Sequence, residues 1–399
     1  MERPLSGIRV LDLTQNMCGP FCTQILGDLG AEIIKIEPFG GEISRKLGTR
    51  HNNTSVTYMH FNRGKKSVEL NMENADHREI LMRLAEKSDL VVEDFAPGTS
   101  EKLGIGYVDI VKRKPDILYL AITGYGQNGR FKYYSDLDPI VQALSGFMSI
   151  TGEAGGEFTK AGAPLADLFA GLYGVIGALA AIIHHRKTGE SLYVDVSKLS
   201  VMLSAMPDSM SKYLNTGEKT RPKGNKHQLV GLFQALRTKD GYVLCMAALD
   251  KQFNALADAL GVQGLGSDER FDNMYKRCVN GDELETIIHS KTEHMSMKEL
   301  SDLLLELKCP AGPINTIEKI LEDDYTKFHN LIMSVNDKSE GNFKVIGSPL
   351  KFEKFDIPTR SFVSQPGEYS AEVLTNILGV SEEQMLSLGC GYKKVLQLE

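Results

Sequence analysis

The first half of the chain alternates short apolar runs with amphipathic stretches of helical period, and this pattern restricts the fold more than any other feature. Strands are predicted over 8–13, 32–37, 67–70, 90–93 and 117–122, and helices over about 19–29, 79–87 and 100–112. Strands interleaved with helices imply a mainly parallel, Rossmann-like sheet. Its ligand site lies beyond the carboxyl ends of the strands.

A small-residue apolar run, 168–183, reads as a buried core helix, being shorter than the roughly 20 residues that span a bilayer and followed by His184, His185 and Arg186. A strand at 192–196 and a helix from Lys198 follow. The Gly-, Lys- and Pro-containing stretch 216–226 then marks a domain boundary. Beyond it, two strands joined at Asp240-Gly241 and helices over about 251–260 and 297–307 describe a smaller α+β unit.

Directly before the apolar run stands Gly162-Ala163-Pro164-Leu165-Ala166-Asp167. Proline, a polar cap and an apolar stretch make a helix start, which would place the Asp167 carboxylate on unpaired backbone N–H groups at the positive end of the dipole. A carboxylate kept anionic there can attack an acyl group, and an ordinary N-cap has the same sequence.

Composition narrows the function. The 399 residues are 42% hydrophobic and 24% charged, as in soluble globular proteins of about two or three domains. A net charge of -7 argues against general nucleic-acid binding. The N-terminus enters the first strand without a charged-then-apolar leader, so a cytoplasmic location is expected. Cys18, Cys22, Cys245, Cys278, Cys309 and Cys390 lack paired metal spacing, and Cys18 and Cys22 have three residues between them where redox motifs have two. The histidines form no ligand set either, and no metal site is expected.

Three further motifs face the expected ligand side. Gly124-Tyr125-Gly126-Gln127-Asn128-Gly129 follows a strand but opens no clean helix, so it reads as a ligand-covering loop rather than a dinucleotide fingerprint. Arg63, Lys65 and Lys66 form a basic run suited to phosphate oxygens, or a solvated loop. Glu93-Asp94-Phe95-Ala96-Pro97-Gly98 turns from a strand end into a helix.

In this order and spacing the chain resembles the family III CoA-transferases, the group that includes formyl-CoA and carnitine CoA-transferases. The likeness runs through 4–14, Gly19-Pro20, 29–38, 62–67, 95–98, Leu103-Gly104, 123–127, and Asp167 with Gly171, with weaker echoes at 310–315, 347–350 and from Gly367. It implies an interlocked, ring-like homodimer. Residues 1–215 would form the first part of a large Rossmann-like domain, 225–325 a small α+β domain, and 330–399 a segment returning to the large domain.

The resemblance also implies the chemistry. Asp167 would be the catalytic aspartate, passing through an aspartyl-acyl anhydride and an aspartyl-CoA thioester. Coenzyme A thioesters would be substrates, with no permanently bound cofactor. Arg63, Lys65, Lys66, Phe95, Lys102, Gly124 and Gly126 would contact CoA. Departures exist: Pro38 replaces a CoA-contacting arginine, the family's Gly-Pro after the loop glutamine is Gly129-Arg130, and a glycine run of the oxalate-handling branch is missing. The acceptor is therefore expected to be a 2-hydroxy acid of amino-acid fermentation, such as 2-hydroxyisocaproate or phenyllactate, with dicarboxylates open. An acyl-CoA racemase is the alternative enzyme, although Asp136-Leu137-Asp138 stands where racemases carry Gly-His-Asp. A non-catalytic CoA-binding protein is the alternative outside catalysis.

Overall fold

The computed structural model describes residues 2–52, 54–226, 230–337, 341–357 and 362–389, which leaves Cys390 outside. The described residues form two compact units, one drawn from 2–147, 161–215 and 326–389, the other from 148–160 and 216–325. The smaller unit thus takes in 148–160, a stretch expected to belong to the large domain.

The larger unit is built on β1 (Arg9–Asp12), α1 (Cys18–Asp28), β2 (Glu32–Glu37), a short hairpin of β3 (Arg50–His51) and β4 (Thr54–Ser55), and α2 (Val56–Asn62). Then come β5 (Lys66–Glu69), α3 (Ala75–Glu86), β6 (Leu90–Glu93), α4 (Thr99–Leu103), α5 (Tyr107–Arg113) and β7 (Leu118–Thr123). The run closes with α6 (Asp138–Leu144), α7 (Leu165–Thr188), β8 (Leu192–Ser197) and α8 (Lys198–Ser204). One helix was expected over 100–112. Two form, because Gly104 adopts a left-handed conformation (φ 68°) and ends α4.

Six of these strands pair in parallel in the order β5-β2-β1-β6-β7-β8. Counted along this sheet alone, that is the doubly wound order 3-2-1-4-5-6, whose connections reverse between β1 and β6. Both faces are covered, so apolar side chains of the sheet are buried on both sides, alongside buried polar groups at Asp12, Lys35, Glu37, Ser67 and Glu93. Val10, Ile33, Leu118, Leu120 and Ile122 pack against α1 and α7. Their neighbours Leu11, Ile34, Tyr119 and Ala121 pack against α3, α5 and a C-terminal helix, Ser370–Leu378.

On the face of α7 toward α1 and the sheet, Ala170, Gly171, Gly174, Ala178 and Ala181 accompany Val175 and Ile182, and the small size of the former lets the elements approach closely. A Cβ on Gly171 would lie 2.8 Å from the Cys18 carbonyl oxygen. The expectation of a buried helix holds for this face only, since Leu172, Tyr173, Ile176 and Ile183 on α7 are 41–60% exposed. A hairpin of β12 (Ile332–Asp337) and β13 (Gly341–Ile346) belongs to the same unit, with Val335, Phe343 and Val345 packed on Tyr58 and Met59 of α2.

In the smaller unit β9 (Phe233–Thr238), β10 (Gly241–Met246) and β11 (Ala311–Pro313) form an antiparallel sheet in the order β11-β10-β9. Helices Asp250–Ala259, Gly281–Thr292 and Met297–Glu306 supply Phe253, Leu256, Ile288, Leu300 and Leu304 to its core.

Candidate active site

In a doubly wound sheet the two strands at the reversal send their following loops to opposite faces, which opens a crevice at their carboxyl ends. Here those strands are β1 and β6, and the loops after them, Gln15–Cys18 and Asp94–Ala96, line a cleft of about 490 Å3. Asp167 and Lys198 complete the same cleft.

Asp167 lies in the first turn of α7 but does not cap it. That corrects the expectation of unpaired N–H groups around its carboxylate. The cap comes from 29 positions upstream: Asp138 Oδ1 accepts from the backbone N–H of Ala166 at 2.7 Å and of Asp167 at 3.3 Å. Gln142, one turn along α6, donates to Asp138 Oδ2 at 2.6 Å and accepts from the Ala161 N–H at 2.9 Å. The α7 start is thereby pinned to α6, and the Asp167 side chain is left for the cleft.

The Asp167 carboxylate pairs with Lys198, the first residue of α8, whose Nζ is 2.8 Å from Oδ1. The contact is a partly buried ion pair. Lys198 also donates to the Asp136 backbone carbonyl and to Asp136 Oδ2, both at 3.1 Å. Burial raises the Asp167 pKa, Lys198 opposes the rise, and Asp138 and Asp136 add to it. Burial alone would lower the Lys198 pKa, but Asp167 and Asp136 outweigh it and hold the ammonium protonated.

Two neighbouring carboxyls sit at the carboxyl end of β6, and of these Asp94 lines the cleft. Asp94 accepts from the Gln15 N–H at 2.9 Å, and burial lifts its pKa to about 7. Glu93 accepts from the Phe95 N–H at 2.7 Å, with its carboxyl pushed up to about 8 by burial and by Asp94, Glu101 and Asp195. Cys18 is buried, which raises its thiol pKa well above the usual value. It holds a neutral thiol, not a nucleophile.

The other expected contacts divide. Phe95 lines the cleft, and Lys102 is exposed on α4, just after the Phe95–Gly98 turn. The basic run, expected to meet phosphate, is paired within the chain instead. Arg63 is buried against Asp28 at 2.8 Å. Lys65 is 2% exposed and spends its donors on Asp12, Asn62, Thr23 and the Pro20 carbonyl. Lys66 pairs with Glu32 and Glu372.

Gly124 and Gly126 do not line the cleft either. A Cβ on Gly124 would collide with that of Asp136, so this glycine makes room for the segment that anchors Lys198. The Gly126 N–H is committed to Thr123 Oγ1 at 2.9 Å. Sequence reasoning gave no site role to Gln15 and Asn16, met Lys198 only as a helix start, and met Asp136 and Asp138 only as the segment where racemases carry Gly-His-Asp. Asn16 carries a signal, since it takes a left-handed conformation (φ 61°) between β1 and α1.

Fold and site define an α/β protein that holds a buried carboxylate beside a cation in the crevice of a doubly wound sheet. The chain belongs to CoA-transferase family III, whose sequence profile matches residues 5–366, and it is a CoA-transferase. It is 32% identical over 391 residues to the succinyl-CoA:glutarate CoA-transferase of Mus musculus, covering 97% of this chain and 89% of that one. It is also 32% identical over 382 residues to the succinate–glutarate CoA-transferase of Agrobacterium fabrum, covering 94% and 96%. The crystal structure of a CAIB/BAIF family protein from Brucella suis superposes with a TM-score of 0.87 at 29% identity, over 94% of this chain and 100% of that one.

Proposed function

We propose that the protein moves CoA from an acyl-CoA to a carboxylic acid through covalent intermediates on Asp167. The carboxylate at the β1–β6 crevice carries this reading. An Asp167 oxygen attacks the donor thioester carbon, the C–S bond breaks, and CoA thiolate leaves an aspartyl-acyl anhydride. The thiolate then attacks Asp167 Cγ, releasing the donor acid and forming an aspartyl-CoA thioester. The acceptor carboxylate attacks Cγ in turn, and the expelled thiolate takes the acceptor acyl group and restores Asp167. Covalent capture divides one difficult exchange into easier steps. The positive end of the α7 dipole supports the charge that builds at Asp167.

Phe95 and the exposed Lys102 are the CoA contacts we retain. Relatives are named for succinate, glutarate and mesaconate, and for L-malate, a 2-hydroxy acid that is a dicarboxylate where 2-hydroxyisocaproate is a monocarboxylate. On that ground we take a dicarboxylate as the acceptor class. A racemase needs a second positioned base, whereas Asp136 is tied to Lys198 and Asp138 to the α7 backbone. A screen of acyl-CoA donors against mono-, di- and hydroxycarboxylic acids, read by mass spectrometry of the CoA products, tests the assignment. Transfer to glutarate-like diacids supports it, and preference for 2-hydroxyisocaproate reverses the acceptor.

We also propose the homodimer. Its support is the exposed apolar side of α7, which with α1, α2 and the 346–350 segment borders a groove of about 910 Å3 lined mainly by apolar side chains. Sedimentation at micromolar concentration checks it, and a monomer there rejects it.

A further inference from the structure

Lys198 is the one cation that the cleft presents to Asp167, among the residues that line it. Its three contacts are the Asp136 carbonyl, Asp136 Oδ2 and Asp167 Oδ1. The Asp136 contacts persist through any chemistry at Asp167. The third does not, because once an acyl group or CoA is joined to Asp167 its side chain is a neutral anhydride or thioester.

We infer that Lys198 is a gate for the acceptor: it neutralises Asp167 at rest and, when Asp167 is acylated, turns to the acceptor carboxylate and holds it for attack. The inference rests on Asp167 being the nucleophile. Nζ lies 2.8 Å from Oδ1, so an anion on the same ammonium sits within reach of Cγ, the carbon it must attack. At rest the same position is closed, since an incoming carboxylate meets the negative charge of Asp167 and a cation already paired.

The order of events follows from charge alone. Donor chemistry uncovers Lys198, the acceptor anion replaces the lost charge, and release of product restores the Asp167–Lys198 pair. No proton or electron is needed beyond those in the two acyl exchanges. The strong protonation of Lys198 in this setting also keeps it from acting as an amine nucleophile toward the anhydride.

Two experiments test the gate. In the first, wild type, Lys198→Met and Lys198→Arg are charged with the best acyl-CoA of the donor screen, and the adduct is followed by intact-protein mass as glutarate is added. Lys198→Met should still form the adduct but discharge it to glutarate about ten- to a hundredfold more slowly, the range of a lost charge-assisted contact, with Lys198→Arg partly restored. In the second, Asp167→Asn mimics the neutral acylated side chain, and it should bind glutarate about tenfold more tightly than resting wild type. Discharge of Lys198→Met at the wild-type rate, failure of that variant to acylate, or equal glutarate affinity of Asp167→Asn and wild type overturns the gate. Absence of any adduct in wild type overturns the Asp167 reading itself. If Lys198→Met does not fold, the Asp167→Asn comparison decides.

Discussion

The Asp138 carboxylate closes the amino end of the helix that carries Asp167, accepting the N–H groups of Ala166 and Asp167 through a single oxygen. A residue that caps a helix and aims its first turn affects both stability and turnover.

Asp138→Ala should therefore cost about 1 kcal/mol of stability, the usual loss for a removed cap. It should also lower kcat about ten- to a hundredfold by letting Asp167 drift, while KM for acyl-CoA changes little. Asp138→Asn keeps an acceptor oxygen and should recover most of both. Urea unfolding and steady-state kinetics on the same preparations check this, and an unchanged kcat in Asp138→Ala would refute the positioning role.

Lys65 belongs to the core. Burial alone would raise the Asp12 pKa, but Lys65 and Lys35 hold its carboxyl down at about 2. Lys65→Met leaves that carboxylate without its closest cation and should destabilise the protein by about 3–5 kcal/mol. Folded protein recovered at low temperature should retain its CoA affinity. A stable variant with weakened CoA binding would restore Lys65 to the ligand.

Glu93 governs the pH dependence of stability. Its folded pKa, about 8, stands above the ordinary carboxylate value of about 4.3. The folded state thus keeps a proton that the unfolded chain gives up. The resulting stabilisation is complete below pH about 4 and is lost as pH rises through 8. Asp12 and Glu37, both held at about 2, work in the other direction, stabilising above pH about 4 and losing that contribution as pH falls through 2. Stability should fall from pH 5 to 8, with up to about 1.4 kcal/mol per pH unit due to Glu93. Glu93→Gln keeps the Phe95 N–H bonded and should flatten the slope, leaving the smaller share of Asp94. Urea midpoints at four pH values measure it, and identical slopes in both proteins would contradict the assignment.

The parallel sheet was legible because short apolar runs such as those of β6 and β7 alternate with stretches of helical period. The strand order was not, since it depends on which helices cross over which face. Asp167 could be found from a helix start, a local pattern. Its cap could not, because Asp138 meets it only through the packing of α6 on α7. The basic run misled for the same reason: Asp28, Asp12 and Glu32, which absorb Arg63, Lys65 and Lys66, lie on earlier elements. Lys198 looks like any cation after a strand, and only the fold brings it to Asp167.

The central claim is that Asp167 becomes covalently acylated, and the most direct measurement is the mass of the chain after exposure to acyl-CoA, with hydroxylamine to capture the activated carboxyl. A CoA- or acyl-sized increment on the wild type, converted by hydroxylamine to a hydroxamate at Asp167 and missing in Asp167→Ala along with essentially all transfer, is the predicted result. An increment on another residue, or transfer by Asp167→Ala at a rate near that of the wild type, would contradict it.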